Sequence, residues 1–214
     1  ILGLGTVGAI AYLTTPKAPA PIEQKIQKRE QSLEGLMATT EQVIVKATYS
    51  AYPRDVTVYF GGSGVCVYKN VKDNLVFYLT CSHVVDVPPE LNVFGFSKIS
   101  DGMYKLNVSG KDGKPLPLDA RALEGIMAVG AKLKSAEIGL VNSFIRDYSN
   151  KIVGVNLIKA ELLADTVVSD ETDWLNDQDI ALLKIDKNSV ALNPNRFTLF
   201  EGEFANEYEI TPGD

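Results

Sequence analysis

The stretch from Gly62 to Val85 constrains the fold of this chain more than any other. Residues Val65–Tyr68 and Leu75–Thr80 are β-branched, aromatic and aliphatic, which is typical of β-strands. Between them, positions 69–74 are mostly polar residues that favour turns. The sequence therefore predicts an antiparallel hairpin whose second strand leads to His83, the only histidine in the chain.

A second stretch, from Asp177 to Ile185, places acids directly before an apolar strand. Asp179 is followed at once by Ile-Ala-Leu-Leu, so we expect it to lie where a strand enters the core. This position distinguishes Asp179 from the other acids of the loop before it, whose carboxylates are expected to be solvated. Asp177 is the alternative candidate for the same role.

Three motifs occur in a fixed order: Gly-Ser-Gly at 62–64, Thr-Cys-Ser-His-Val-Val at 80–85 and Asp-Ile-Ala-Leu-Leu at 179–183. In this order they resemble the trypsin-like serine proteases of the chymotrypsin fold, and the HtrA/Deg branch in particular. The Pro-Gly-Asp at 212–214 is similar to the turn that leads towards the second barrel in that family. The resemblance covers residues 41–214.

The resemblance implies a fold class and two residue roles. The fold is expected to be mainly β, an antiparallel Greek-key β-barrel corresponding to the first barrel of a trypsin-like double barrel. Matched to the family motifs, His83 is the general base and Asp179 the residue that orients it. A serine hydroxyl needs such a base near neutral pH, and a carboxylate fixes the imidazole tautomer.

The family's nucleophile lies in a Gly-x-Ser-Gly-Gly turn, and no such string occurs here. Ser63 precedes the histidine, and Ser82 is expected to point across the strand from His83, so neither replaces it. We therefore expect the second barrel to be absent from the chain and the serine to lie beyond Asp214. The resemblance then implies a serine endopeptidase; the alternative is a catalytically incomplete protease-fold scaffold or interaction protein.

Charge and residue usage exclude several other classes of function. The chain has 21 Lys and Arg against 27 Asp and Glu and no basic run, so nucleic acid is not an expected partner. The expected partner is a protein or peptide substrate. No cofactor is expected. One histidine with Cys66 and Cys81 lacks the usual spacing of a metal site, so no metal is expected either. Whether the two thiols face each other depends on the hairpin register, which the sequence leaves open.

The N-terminal region predicts a membrane attachment. Residues 1–13 carry no charge and indicate, over 1–15, the end of a membrane anchor or signal-anchor. Gly3-x-Gly5-x-x-Gly8 has the letters of a dinucleotide fingerprint, but Pro16 ends any helix that could follow it. Residues 16–40 predict a Pro-rich linker and a helix whose short apolar seam leaves homo-oligomerisation open. The expected location is membrane-anchored, on the extracytoplasmic or periplasmic side.

The remaining chain predicts further strands and one irregular region. Strands are expected at 43–48, 56–60, 91–96, 103–108, 152–163, 165–169 and 179–186. Apolar residues between 119 and 150 recur at helical spacing, although three glycines weaken that pattern. We therefore expect a partly helical insertion over about 119–150, which accounts for the long separation of His83 and Asp179.

Overall fold

The computed structural model describes residue 37 and residues 39–165, 179–192 and 195–199. These residues are mainly β, with nine antiparallel strands in one sheet and few helical residues. In chain order the elements are β1 (Thr40–Ser50), β2 (Val56–Asn70), β3 (Leu75–Thr80), α1 (Ser82–Val85), β4 (Glu90–Ser100), β5 (Met103–Ser109), β6 (Asp119–Ala122), β7 (Ala131–Arg146), β8 (Ile152–Asp165), β9 (Ala181–Ile185) and α2 (Lys187–Leu192).

Several predictions fall outside this part of the chain. The predicted anchor over 1–15 and the predicted linker and helix up to residue 36 lie outside the described residues. Asp177 and all but the first residue of the predicted strand over 165–169 also lie outside them. Among the residues described, no helix is both long enough and apolar enough to cross a membrane.

Six of the strands close in a ring because β7 pairs back with β1. The neighbours are β1, β2, β3, β9, β8 and β7, and β7 pairs with β1 from Val43↔Leu140 to Ser50↔Lys132. Strands β4, β5 and β6 extend the same sheet, joined to β7 through Glu90↔Lys132 and to β2 through Phe60↔Ala120. The long strands β2 and β7 therefore each pair both with strands of the ring and with a strand of this extension.

Alternation along β1 directs one face of the sheet into a single core. Four alternate residues of β1 are fully buried in the main core: Val43, Val45, Ala47 and Tyr49. The residues between them are more exposed or, like Ile44, belong to a smaller apolar cluster. Successive side chains of a strand point to opposite faces, so this alternate burial is what a sheet with one apolar face requires. The enclosed face is where the largest side chains of β2, β3, β7 and β9 also meet.

The predicted hairpin is confirmed, with a longer first strand than expected. β2 pairs with β3 up to Asn70↔Leu75, and residues 71–74 make the turn, where Asn74 has a φ of 53°. The two glycines of the Gly-Ser-Gly motif lie within β2. A Cβ on Gly62 would lie 2.9 Å from Cγ1 of Val84 and closer still to Cγ2, and a Cβ on Gly64 would lie 2.7 Å from Cγ2 of Val43.

The predicted helical character of residues 119–150 is wrong. The segment contains β6 and the 16-residue strand β7, which hydrogen-bonds to β1 on one side and to β8 on the other. Apolar residues at helical spacing were misleading because β7 packs different faces in its two halves. Pairing with two neighbouring strands supplies the backbone hydrogen bonds that a helix would have made internally.

A polar cluster fastens the segment after α2 to the ring. Glu41 accepts hydrogen bonds from the hydroxyl of Tyr78 at 2.9 Å and from Nη2 of Arg196 at 3.0 Å, and the same nitrogen donates to the carbonyl of Val141 at 2.6 Å. Phe197 is fully buried against the Tyr78 ring. The cluster thus joins β1, β3 and β7 to residues 195–199.

We expect Gly62→Ala to be far more disruptive than Gly61→Ala. The added methyl at 62 overlaps Val84, which is buried and has no flexible end to move, so it should cost about 1–3 kcal/mol of unfolding free energy. At 61 the nearest atom is 3.6 Å from the new Cβ, and the change should stay within about 0.5 kcal/mol. Urea unfolding measures both; equal losses would contradict the packing argument.

Candidate active site

The pairing of β3 with β9 brings His83 and Asp179 together across 96 positions of sequence. The two strands are antiparallel, with Thr80 opposite Ala181 at the end of the ladder. The chain leaving β3 and the chain entering β9 therefore meet at the same edge of the ring. Asp179, two residues before Ala181, lies beside the residues that follow Thr80. The apolar run after it predicted its place at the start of a strand, and the family resemblance implied its place beside His83.

His83 lies on a short helical turn rather than on the strand that was expected to deliver it. β3 ends at Thr80, and α1 is closed by a hydrogen bond from Asp86 N–H to the carbonyl of Ser82. Val84 and Val85 are buried and hold the turn against β2, which leaves the imidazole about half exposed, at 53%. Ser82 is buried in this turn, so the expectation that it points across a strand is wrong, and it is not placed to act as a nucleophile.

One carboxylate binds both the ring and the backbone of His83. Oδ1 of Asp179 accepts the His83 backbone N–H at 2.9 Å, and Oδ2 forms a short hydrogen bond with the ring nitrogen Nδ1. The backbone N–H of Ser82 also acts on this carboxylate and lowers its pKa. Two contacts to one residue fix the carboxylate and the imidazole in one relative orientation.

These contacts determine the ionisation of Asp179. Partial burial, the largest effect, raises its pKa, but the His83 backbone N–H, the His83 ring and its charge, and the Ser82 N–H together outweigh it. The pKa of Asp179 is therefore held below its ordinary value, and the group is a carboxylate near neutral pH.

The arrangement is suited to general base chemistry. When the Asp179 carboxylate accepts the proton on Nδ1, the lone pair of the neutral imidazole is on Nε2. Because the ring is half exposed, Nε2 is the nitrogen that can take a proton from a hydroxyl or a water molecule. A carboxylate and an imidazole in this relation also occur in the catalytic triads of serine proteases.

The thiol of Cys81 is a third side chain beside this pair, and the sequence did not predict its position there. Its sulfur, a His83 ring nitrogen and an Asp179 oxygen all lie within 4.8 Å of one another. Burial, and then the charge of Asp179, raise the pKa of the Cys81 thiol. The thiol is thus protonated near neutral pH and is not activated as a nucleophile. Its position two residues before His83 was visible in the sequence, but its distance from Asp179 was not.

The two cysteines do not face each other in the hairpin. Cys66 lies opposite Tyr78 on β3, whereas Cys81 lies beyond the end of that strand. Both thiols are free, Cys66 buried and Cys81 exposed. The register that the sequence left open is therefore the one that keeps them apart.

We expect Asp179→Asn to alter the acid dependence of stability. In the folded protein the Asp179 pKa is below its ordinary value of 3.8, so its contribution is fully present above that value and is lost as pH falls through the folded-state pKa. The variant lacks this titration, so its unfolding free energy should fall less steeply below about pH 4. Urea unfolding at several pH values measures the slopes. Parallel curves for the two proteins would contradict the assigned contacts.

The tautomer of His83 can be read directly because the chain has one histidine. In long-range hydrogen–nitrogen correlation NMR we expect the neutral ring to carry its proton on Nδ1, held there by Asp179. Asp179→Asn should shift the proton towards Nε2, because the new amide can donate to Nδ1. Asp177→Asn is the matched control and should leave the tautomer unchanged. A wild-type ring with the tautomer mixture of free histidine, which favours the proton on Nε2, would refute the assignment.

Comparisons of the chain with protein-family models, with curated proteins and with solved structures gave no match.

Proposed function

We propose that this chain is the part of a trypsin-like, HtrA/Deg-like serine endopeptidase that carries the general base and its orienting acid. The observation that carries the proposal is the double contact of Asp179 with the ring and the backbone N–H of His83. This contact joins the two residues that the family motifs mark for these roles. The substrate class is protein or peptide.

The strand order gives independent support for the finer fold assignment. Strands β1, β2 and β3 follow one another along the chain and in space, and β7 returns after β4–β6 to pair with β1. An order in which a fourth strand lies beside the first is that of a Greek key. With β8 and β9 completing the ring, the order agrees with a first barrel of the trypsin-like double barrel.

The mechanism assigns each step to a named atom. Nε2 of His83 takes the proton of a serine hydroxyl supplied by residues beyond 214, and the oxygen attacks the scissile carbonyl. Asp179 keeps Nδ1 protonated and stabilises the imidazolium that forms. His83 then returns the proton to the leaving amine, which leaves an acyl-enzyme. Water hydrolyses that ester in a second round of the same proton transfers.

Membrane attachment is part of the proposal. The uncharged segment 1–13 anchors the protein and places the protease domain on the extracytoplasmic side. This assignment depends on sequence alone, and deletion of residues 1–21 tests it by asking whether the protein leaves the detergent phase.

An interaction protein is the second candidate, favoured by an apolar surface on β4. Phe94, Phe96 and Ile99 on this strand are 55%, 46% and 48% exposed. Exposed apolar side chains grouped on one strand are typical of a contact surface for another protein. In this alternative the His83–Asp179 pair only joins the ends of β3 and β9.

Covalent labelling of the natural full-length polypeptide by a fluorophosphonate probe separates the two candidates. We expect the probe to label the wild type and not His83→Ala. Asp179→Asn should lose turnover by a factor on the order of 10⁴, as in the corresponding change of the trypsin triad. Asp177→Asn, the alternative orienting acid, should retain its activity.

Matched melting curves keep folding defects apart from catalytic ones. A well-folded wild type that takes no label would favour the interaction protein. A loss confined to Asp177→Asn would transfer the orienting role to that residue, and labelling that persists in His83→Ala would rule out the proposed base.

A further inference from the structure

Three metal-binding atoms converge at the end of β3. The sulfur of Cys81, a ring nitrogen of His83 and a carboxylate oxygen of Asp179 lie within 4.8 Å of one another, and no other three His, Cys, Asp or Glu side chains converge this way among the residues described. The sequence argued against a metal because it offered one histidine and two widely spaced cysteines. The fold adds the carboxylate of Asp179, which lies 98 positions after Cys81 in the sequence (179 − 81).

The donor set selects a class of ion. Zinc binds sulfur at about 2.3 Å and nitrogen or oxygen at about 2.0–2.2 Å, so tetrahedral ligands lie about 3.3–3.8 Å apart. The three donor atoms lie within 4.8 Å of one another, which is close to that spacing. Magnesium and calcium prefer oxygen ligands alone, whereas a sulfur, nitrogen and oxygen set favours zinc and similar thiophilic ions.

The scaffold holds these donors without help from the ion. Cys81 and His83 belong to one short turn that Val84 anchors in the core, and Asp179 is placed by the pairing of Thr80 with Ala181. Cys81 and His83 are both exposed, so an ion can enter from solvent and keep a water molecule as its fourth ligand.

We propose that Cys81, His83 and Asp179 form an inhibitory binding site for a thiophilic divalent cation of the zinc type. On binding, the thiol releases its proton to solvent and the thiolate coordinates the ion. A ring nitrogen of His83 donates its lone pair at the same time. If Nδ1 binds, the ring proton is on Nε2, and if Nε2 binds, its lone pair is occupied. In either case the imidazole cannot accept a proton from a hydroxyl.

The binding part of the proposal is independent of the proposed function, whereas the inhibition rests on it. Cobalt absorption tests binding alone, because a thiolate ligand gives cobalt a charge-transfer band that oxygen and nitrogen ligands do not. We expect one equivalent of cobalt per reduced full chain to give this band, and zinc to displace it. Cys81→Ala should abolish the band, and Cys66→Ala should keep it, because that thiol is buried elsewhere.

Asp179→Asn gives a second readout that keeps the thiol. Loss of an outer-shell partner typically weakens metal affinity by roughly 10- to 100-fold. Asp179 is a direct ligand, so its loss should weaken cobalt binding by at least about tenfold. Absence of the band in a folded wild type, its persistence in Cys81→Ala, or unchanged affinity in Asp179→Asn would each overturn the site.

Zinc titration of probe labelling tests the inhibition, with each variant normalised to its own metal-free rate. We expect the zinc concentration for half-inhibition to rise at least about tenfold in Cys81→Ala. An unchanged value would overturn the inhibitory role. Binding without any probe labelling would refute the protease and leave the metal site standing.

Discussion

The antiparallel pairing of β3 with β9 is the constraint on which the candidate site depends. Thr80 and Ala181 end the ladder together, so the next residues of one strand and the preceding residues of the other share one edge. His83 and Asp179 are separated by 96 positions, and no local interaction could hold them together. Their geometry is therefore a consequence of register, and register is a property of the whole sheet.

The closed ring and its core determine that register. A slip of β9 by one residue against β3 would turn Leu183, which is fully buried opposite Tyr78, out of the core. The same core fixes the turn that carries His83, because Val84 packs into the space left by the absent side chain of Gly62. Apolar packing thus sets the positions of polar groups that themselves contribute little to the core.

The site combines rigid support with exposed chemistry. The residues beneath it are buried, while the His83 ring is 53% exposed and Cys81 is exposed as well. A base must meet its substrate, so this exposure agrees with the proposed proton transfer. The same exposure makes the cluster open to metal ions, and one arrangement thereby accounts for both proposals.

The sequence by itself determined the hairpin, most strands, and the identity of His83 and Asp179 as candidates, because alternating apolar residues, turn formers and short motifs are local signals. Only the tertiary structure decided that residues 131–146 are a strand, since β1 and β8 supply its hydrogen bonds. It also decided that His83 lies on a helical turn and that Cys81 lies beside Asp179. These features depend on contacts between segments far apart in the chain, and a local pattern carries no information about such contacts.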